Sequence, residues 1–189
     1  MYQKYHTEAI VLGGNDRGEA DRVVVLMTRD FGLVHARATS IRSEKSKMRY
    51  AAQNYSLALV SLVKGKRGWR LAGATARALQ KSTPGLSAFV RMCELTQRLV
   101  AGEEKNEYLF EVLAEAHRVV MDAPKEVIPT VEIVSVARIL FALGYISAEA
   151  LQTTLFTHTQ YESIHLQEAE VLRETMLKSI NRAIAETHL

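Results

Sequence analysis

The sequence predicts two parts of different class, an all-β barrel over residues 1–83 followed by an all-α helical bundle over residues 84–189. Two patterns carry that division. Residues 7–42 are short apolar runs, rich in β-branched side chains and separated by Gly, Asn and Asp clusters, as a half-buried pleated surface requires. After Ser82-Thr83-Pro84-Gly85 the spacing of apolar residues changes from about two to about 3.6, the change from strand to helix. Charge divides the chain at the same place. Residues 1–83 hold 15 Lys+Arg against six Asp+Glu, while the remainder holds nine against 15.

The strands follow in order. Ala9-Ile10-Val11-Leu12 forms the first run, and Gly13-Gly14-Asn15-Asp16-Arg17-Gly18 punctuates it. The second run, residues 22–27, ends at the turn Asp30-Phe31-Gly32. The third covers residues 33–41, where Val34, Ala36 and Ala38 alternate with His35, Arg37 and Thr39, giving one apolar and one cationic face. Residues 42–50 have no period and read as a loop carrying Arg42, Lys45, Lys47 and Arg49. A fourth run spans residues 55–63, the glycines of Lys64-Gly65-Lys66-Arg67-Gly68 suit a tight hairpin, and residues 69–78 return as the fifth. Five short strands with no long helix between them suit a small closed or nearly closed barrel; an SH3-like barrel fits the count less well.

Beyond Gly85 the pattern is helical. Leu86, Phe89, Val90, Cys93, Leu99 and Val100 trace one stripe, and a second helix opens at Asn106-Glu107 and closes before Pro124. Residues 128–143 are apolar nearly all round, as in a helix surrounded by others, with Gly144 as its C-terminal cap. A short turn is expected at residues 147–151. Residues 153–164 are Thr-rich and aperiodic, and residues 166–187 form the last amphipathic stripe. The most apolar stretch, residues 127–145, is broken by Pro129, Glu132 and Arg138, which suits a buried helix and not a membrane span. Residues 1–6 show no apolar signal core, and the single cysteine, Cys93, allows no disulfide framework, which favours a reducing, intracellular setting.

A basic front half joined to an acidic rear half points to a polyanion-binding module attached to something else. The candidate nucleic-acid contacts are Arg37 and Arg42, then Lys45, Lys47 and Arg49 in the loop, then Lys64, Lys66, Arg67 and Arg70 around the hairpin. Trp69 reads equally as a base-stacking platform or as a core tryptophan. Tyr50 could also stack, with an ordinary structural role slightly preferred, and Arg22 reads as a partner of Asp21 or Glu19. Clustered carboxylates favour Mg²⁺ chemistry, so Asp16, Glu19 and Asp21 offer a rival reading as a metal-dependent nuclease site. Their interleaving with Arg17 and Arg22 argues instead for a solvated, salt-linked loop. An RNA-binding module is a third reading. No phosphate-binding G-x-x-x-x-G-K-[ST] loop is present, and no cofactor is expected.

Three segments bear a family resemblance: Thr7-Glu8-Ala9-Ile10-Val11-Leu12, Gly18-Glu19-Ala20-Asp21-Arg22, and Leu26-Met27-Thr28-Arg29-Asp30-Phe31-Gly32-Leu33. Together they resemble the opening of the bacterial recombination mediator family RecO. Tyr108-Leu109-Phe110-Glu111-Val112-Leu113 and Arg138-Ile139-Leu140-Phe141-Ala142-Leu143-Gly144-Tyr145 resemble its helical domain. The resemblance implies an N-terminal OB-fold barrel and a helical domain in a non-enzymatic, cytoplasmic, nucleoid-associated protein. It also implies binding of single- and double-stranded DNA, annealing of complementary strands, and action with RecR to load RecA on DNA coated by single-strand-binding protein. An OB barrel of this kind binds a strand along a cationic groove with aromatic platforms, where stacking contributes ~1–3 kcal/mol per base.

The chain departs from that family in two respects. Many members carry a four-cysteine zinc module after the Leu-Gly-Tyr segment, but residues 146–166 contain no cysteine, and His158 and His165 alone do not make the four ligands that structural zinc needs. The family's helical domain docks the acidic tail of single-strand-binding protein, whereas this helical half is net negative. Docking would need a local basic pocket, for example around Arg91, Arg98 or Arg138.

Overall fold

The computed structural model describes residues 3–81, 83–151 and 153–187; Met1, Tyr2 and the boundary residue Ser82 lie outside the described residues. Five strands, β1 (Lys4–Arg17), β2 (Asp21–Thr28), β3 (Gly32–Ala38), β4 (Leu57–Gly65) and β5 (Gly68–Ala78), close into a barrel in the order β1-β2-β3-β5-β4. Every pairing is antiparallel except β3 with β5, a short parallel join of Ala36 to Trp69 and Arg37 to Arg70. This is the five-stranded OB arrangement.

The first strand is longer than its apolar run. It continues through Gly13-Gly14-Asn15-Asp16-Arg17, which composition marks as a turn, and pairs there with residues 21–25 of β2. A register shift between Val11 and Gly13 explains the difference. Before it β1 pairs with β4 (Lys4 with Val63 through Ile10 with Leu57) and, from Ala9 to Val11, with β2 as well; beyond it β1 pairs with β2 alone. A bulge lets one strand bend from one pairing to another, and the glycines that look like punctuation accommodate it.

The alternation in β3 appears as expected: Val34, Ala36 and Ala38 are buried, and His35 and Arg37 are exposed. They join Ala9, Val11, Val24, Leu26, Val60, Leu62 and Leu71 in the barrel core. Trp69 belongs to that core, being 5% exposed with Tyr5 and Phe31 rings at 5.6 and 5.2 Å. Of its two readings the core one holds, because its position on β5 turns it inward beside Leu71. Residues 42–56 form successive tight turns (Ser46 N–H to Ser43 O, 3.0 Å; Ala52 N–H to Met48 O, 3.0 Å) with Ala51 and Ala52 buried beneath.

The chain forms two compact units, and they do not correspond to a single cut in sequence. One comprises the residues up to Gln80 together with Ala101–Phe110; the other comprises Lys81–Val100 and the residues from Glu111 onward. Within the first unit, the 101–110 segment is fastened to the barrel by its backbone. The Leu33 N–H donates to Gly102 O at 3.2 Å, and Gly32 (φ 66°) lies so close to the Glu104 backbone that a Cβ there would collide with it. Only glycine satisfies both the left-handed φ and the close approach.

The helices are α1 (Gly85–Leu99), α2 (Glu107–Val120), α3 (Ile128–Ala142), α4 (Ala148–Leu151), α5 (Ser163–Val171) and α6 (Arg173–Glu186). The Asn106 side chain caps α2 by accepting the Leu109 N–H at 2.9 Å. In the second unit α3 packs against α1, α5 and α6, which is why it is apolar all round. Gly144 (φ 79°) closes it, with Tyr145 N–H reaching back to Leu140 O. The single expected terminal helix is two helices broken at Leu172. No helix among the described residues is long and apolar enough to cross a membrane.

The aperiodic segment 153–164 owes its order to a side chain from α3. Arg138 is fully buried and donates to the carbonyls of Leu155 (2.8 Å), Thr159 (2.7 Å) and Gln160 (3.1 Å), with its guanidinium 4.7 Å from the Tyr161 ring centroid. Arg91 is held by both carboxylate oxygens of Glu132. Neither arginine is left to line a basic docking pocket.

Candidate nucleic-acid interface

The parallel join of β3 and β5 sets the geometry of the site. It places Arg37 opposite Arg70, both on the outward face of the barrel. The β4–β5 hairpin adds Lys66 and Arg67 at its tip. These four cations surround a concavity of about 420 Å³ whose other lining residues are Val63, Gly65, Gly68 and Trp69. Among the described residues no acidic side chain lines it. Lys66, Arg67 and Arg70 are exposed and make no ion pair among the described residues, while Arg37 is held by Asp21 through Nη2 at 2.7 Å and Nε at 3.2 Å. Asp21 also accepts the Ser40 N–H at 2.9 Å. That backbone bond first, and the arginine second, hold its carboxyl below the usual aspartate range.

The other predicted contacts are distributed differently. Arg42 and Arg49 line a second concavity of about 480 Å³ near the β1–β2 turn, together with Asp16, Glu19 and Arg22. There Arg42 pairs with Asp16 at 3.4 Å and donates to Gly18 O, so this site is electrically mixed. Lys45, Lys47 and the 65%-exposed Tyr50 project from the turns between β3 and β4 and line neither concavity. Lys64 is engaged within its own unit: its Nζ contacts Glu103 at 2.8 Å and lies 5.0 Å from the Trp69 ring centroid. The Glu103 carboxyl is held low first by Lys64 and then by the nearby Trp69 indole N–H, which is buried without reaching full hydrogen-bond geometry.

The carboxylates of the nuclease reading do not converge. Asp16 pairs with Arg42 and Arg22, and Asp21 pairs with Arg37. Among the described residues no three His, Cys, Asp or Glu side chains are grouped so as to hold a metal ion. The rings of His158 and His165 stack on each other at 5.6 Å.

The barrel matches a known family. Residues 1–75 match the family model described as Recombination protein O N terminal. The barrel is thus similar to the N-terminal domain of RecO proteins. The relatives carrying the name DNA repair protein RecO include one from Desulfitobacterium hafniense (strain DSM 10664 / DCB-2), 39% identical over 62 residues, which are 33% of this chain and 23% of the relative. The relative from Gloeothece citriformis (strain PCC 7424) is 31% identical over 122 residues, 61% of this chain and 42% of its own. That from Dehalococcoides mccartyi (strain ATCC BAA-2266 / KCTC 15142 / 195) is 33% identical over 115 residues, 58% and 45% of the two chains. The chain thus spans less than half the length of these RecO relatives.

Glu103 is the feature beside the barrel that sequence reasoning missed. Nothing local in Gly102-Glu103-Glu104-Lys105 marks it as a barrel residue, because its place depends on a contact with Leu33 some 70 positions earlier.

Proposed function

We propose that this chain acts in DNA repair and recombination as a binding protein, not an enzyme. It takes up single- and double-stranded DNA on the outer β3–β5 face of its barrel and promotes annealing of complementary strands. One observation supports this most directly: Arg37, Lys66, Arg67 and Arg70 converge on a single concavity that no carboxylate lines. Four cations around an apolar floor attract a phosphate backbone without reading bases, since phosphate contacts position a strand and base-edge contacts specify it. Action with RecR, loading of RecA and engagement of single-strand-binding protein follow from the RecO family and form part of the same proposal.

The test is a titration of the full chain with labelled oligo-dT across salt concentrations. If Lys66, Arg67 and Arg70 each neutralise a phosphate, Arg37 being held by Asp21, the logarithm of affinity falls against the logarithm of salt with a slope of roughly −2. A slope near zero overturns the proposal. Competition by RNA of matched sequence that equals or exceeds DNA would assign the groove to RNA instead. An Arg37→Glu/Lys66→Glu variant that anneals complementary oligonucleotides as fast as the parent would remove the annealing step.

A further inference from the structure

We propose that Glu103 sets the affinity of the barrel for nucleic acid by holding Lys64 in an internal ion pair that an incoming phosphate must displace. This inference rests on the groove reading above and adds an opposing charge to it.

Three observations carry it. First, Glu103 is placed by the backbone and not by its own side chain. Gly102 O accepts the Leu33 N–H on one side, and the Glu104 backbone packs on Gly32 on the other. The carboxylate therefore stays in position whether or not Lys64 answers it. Second, Lys64 is the register partner of Trp69, and the residues beside both of them, Gly65 and Gly68, line the cationic concavity. Its ammonium is thus adjacent to the groove but bound elsewhere. Third, both side chains are open to solvent, Lys64 55% and Glu103 44% exposed, so the pair can exchange without unfolding the barrel. A lysine is a point charge on a flexible stem and accepts a phosphate oxygen as readily as a carboxylate oxygen.

The consequence is that Lys64 is silent in the free protein. While Glu103 holds it, Lys64 neutralises no phosphate, so it releases none of the counterions condensed on the DNA and adds little to the salt dependence. Glu103→Gln frees it. The single-strand slope should then steepen by about 0.7, the contribution of one further phosphate contact. Affinity at low salt should rise roughly two- to fivefold, matching the modest strength of an exposed ion pair.

The experiment measures oligo-dT binding by anisotropy over a range of salt for the full-length parent, Glu103→Gln, Glu104→Gln, and Glu103→Gln with Lys64→Ala. Glu104→Gln removes the same charge from the adjacent residue without touching Lys64. Tighter binding and a steeper slope in Glu103→Gln only, both lost when Lys64→Ala is added, support the proposal. Equal gains in the Glu103 and Glu104 variants reduce the effect to net charge and overturn it, as does an unchanged Glu103→Gln. If neither the parent nor any variant binds, the groove reading itself fails; if the parent binds and Glu103→Gln changes nothing, only the competition by Glu103 fails. Far-UV circular dichroism and a urea midpoint for each variant report that the barrel remains intact, since Trp69 emission itself responds to Lys64 and Glu103.

Discussion

Asp21 binds Arg37 from the neighbouring strand while capping the turn that follows it: one carboxylate oxygen accepts the guanidinium at 2.7 Å, and the other accepts the Ser40 N–H at 2.9 Å. Ser40 sits at φ 52°, a left-handed conformation that the Asp21 bond stabilises. The folded carboxyl titrates below its unfolded value, so its contribution is complete above the ordinary aspartate range, about pH 3.9, and is lost as pH falls through the lower folded value. The parent should therefore be more stable than Asp21→Asn at neutral pH, and the two should converge once pH has fallen through the lowered folded value. Urea midpoints measured from pH 7 to pH 2.5 check this. A constant difference across the range would show that Asp21 acts through shape and not charge.

The separation of the cations into two places makes a second prediction. Lys66→Glu with Arg67→Glu reverses charge at the concavity without carboxylates and should weaken oligo-dT binding at least tenfold, with a shallower salt slope. Lys45→Glu with Lys47→Glu makes the same change in net charge outside both concavities and should weaken it no more than a few-fold, through the long-range field that salt screens. Equal losses for the two pairs would mean that net charge, and not the β3–β5 groove, governs binding.

These assignments show where sequence and structure part. Alternation in residues 33–38 was legible because burial of one face is a local, period-two property. The hairpin at Gly65 and Gly68 and the Gly144 cap were legible for the same reason, since each depends on a φ that only nearby residues determine. Glu103, Arg138 and the division of Arg42 from Arg37 were not. Each depends on a partner far along the chain: Lys64, the carbonyls of residues 155–160, and Asp16 or Asp21. Charge counted along the sequence located the basic half but could not say which arginines already had carboxylates. β1 misled for a related reason, because a glycine pair that marks a turn in isolation marks a bulge when a second strand lies opposite.

Trp69 provides a third test, in which stability and binding should separate. Packed against Tyr5 and Phe31 in the barrel core, it should cost about 3–5 kcal/mol when cut back to alanine, as large buried aromatics do. Trp69→Phe keeps most of the buried volume and should cost less, while leaving oligo-dT affinity within about twofold, since a core side chain does not stack on bases. Chemical denaturation and anisotropy on the same samples check both. A Trp69→Phe protein that folds normally but binds tenfold more weakly would restore the stacking role.

Arg138 is the last case, and there charge serves structure. Its guanidinium is fully buried and is shared among the carbonyls of Leu155, Thr159 and Gln160, so it holds residues 155–160, which lie in no helix or strand. Tyr161 closes over it, and the Tyr161 hydroxyl meets Ser135 at 2.7 Å. Burial, opposed by the neighbouring Arg138, raises the Tyr161 hydroxyl above the ordinary tyrosine range. Arg138→Met removes three donors at once and leaves the carbonyls unsatisfied, at about 1–3 kcal/mol each if water does not enter. A loss of 3 kcal/mol or more is expected by urea denaturation, together with new protease sensitivity within residues 153–164. Arg138→Lys should recover only part of it, because one ammonium cannot span three acceptors that a planar fork reaches. If the methionine variant resists protease as the parent does, the segment is held by its own Leu155 and Phe156, both buried in the helical core, and the arginine is dispensable.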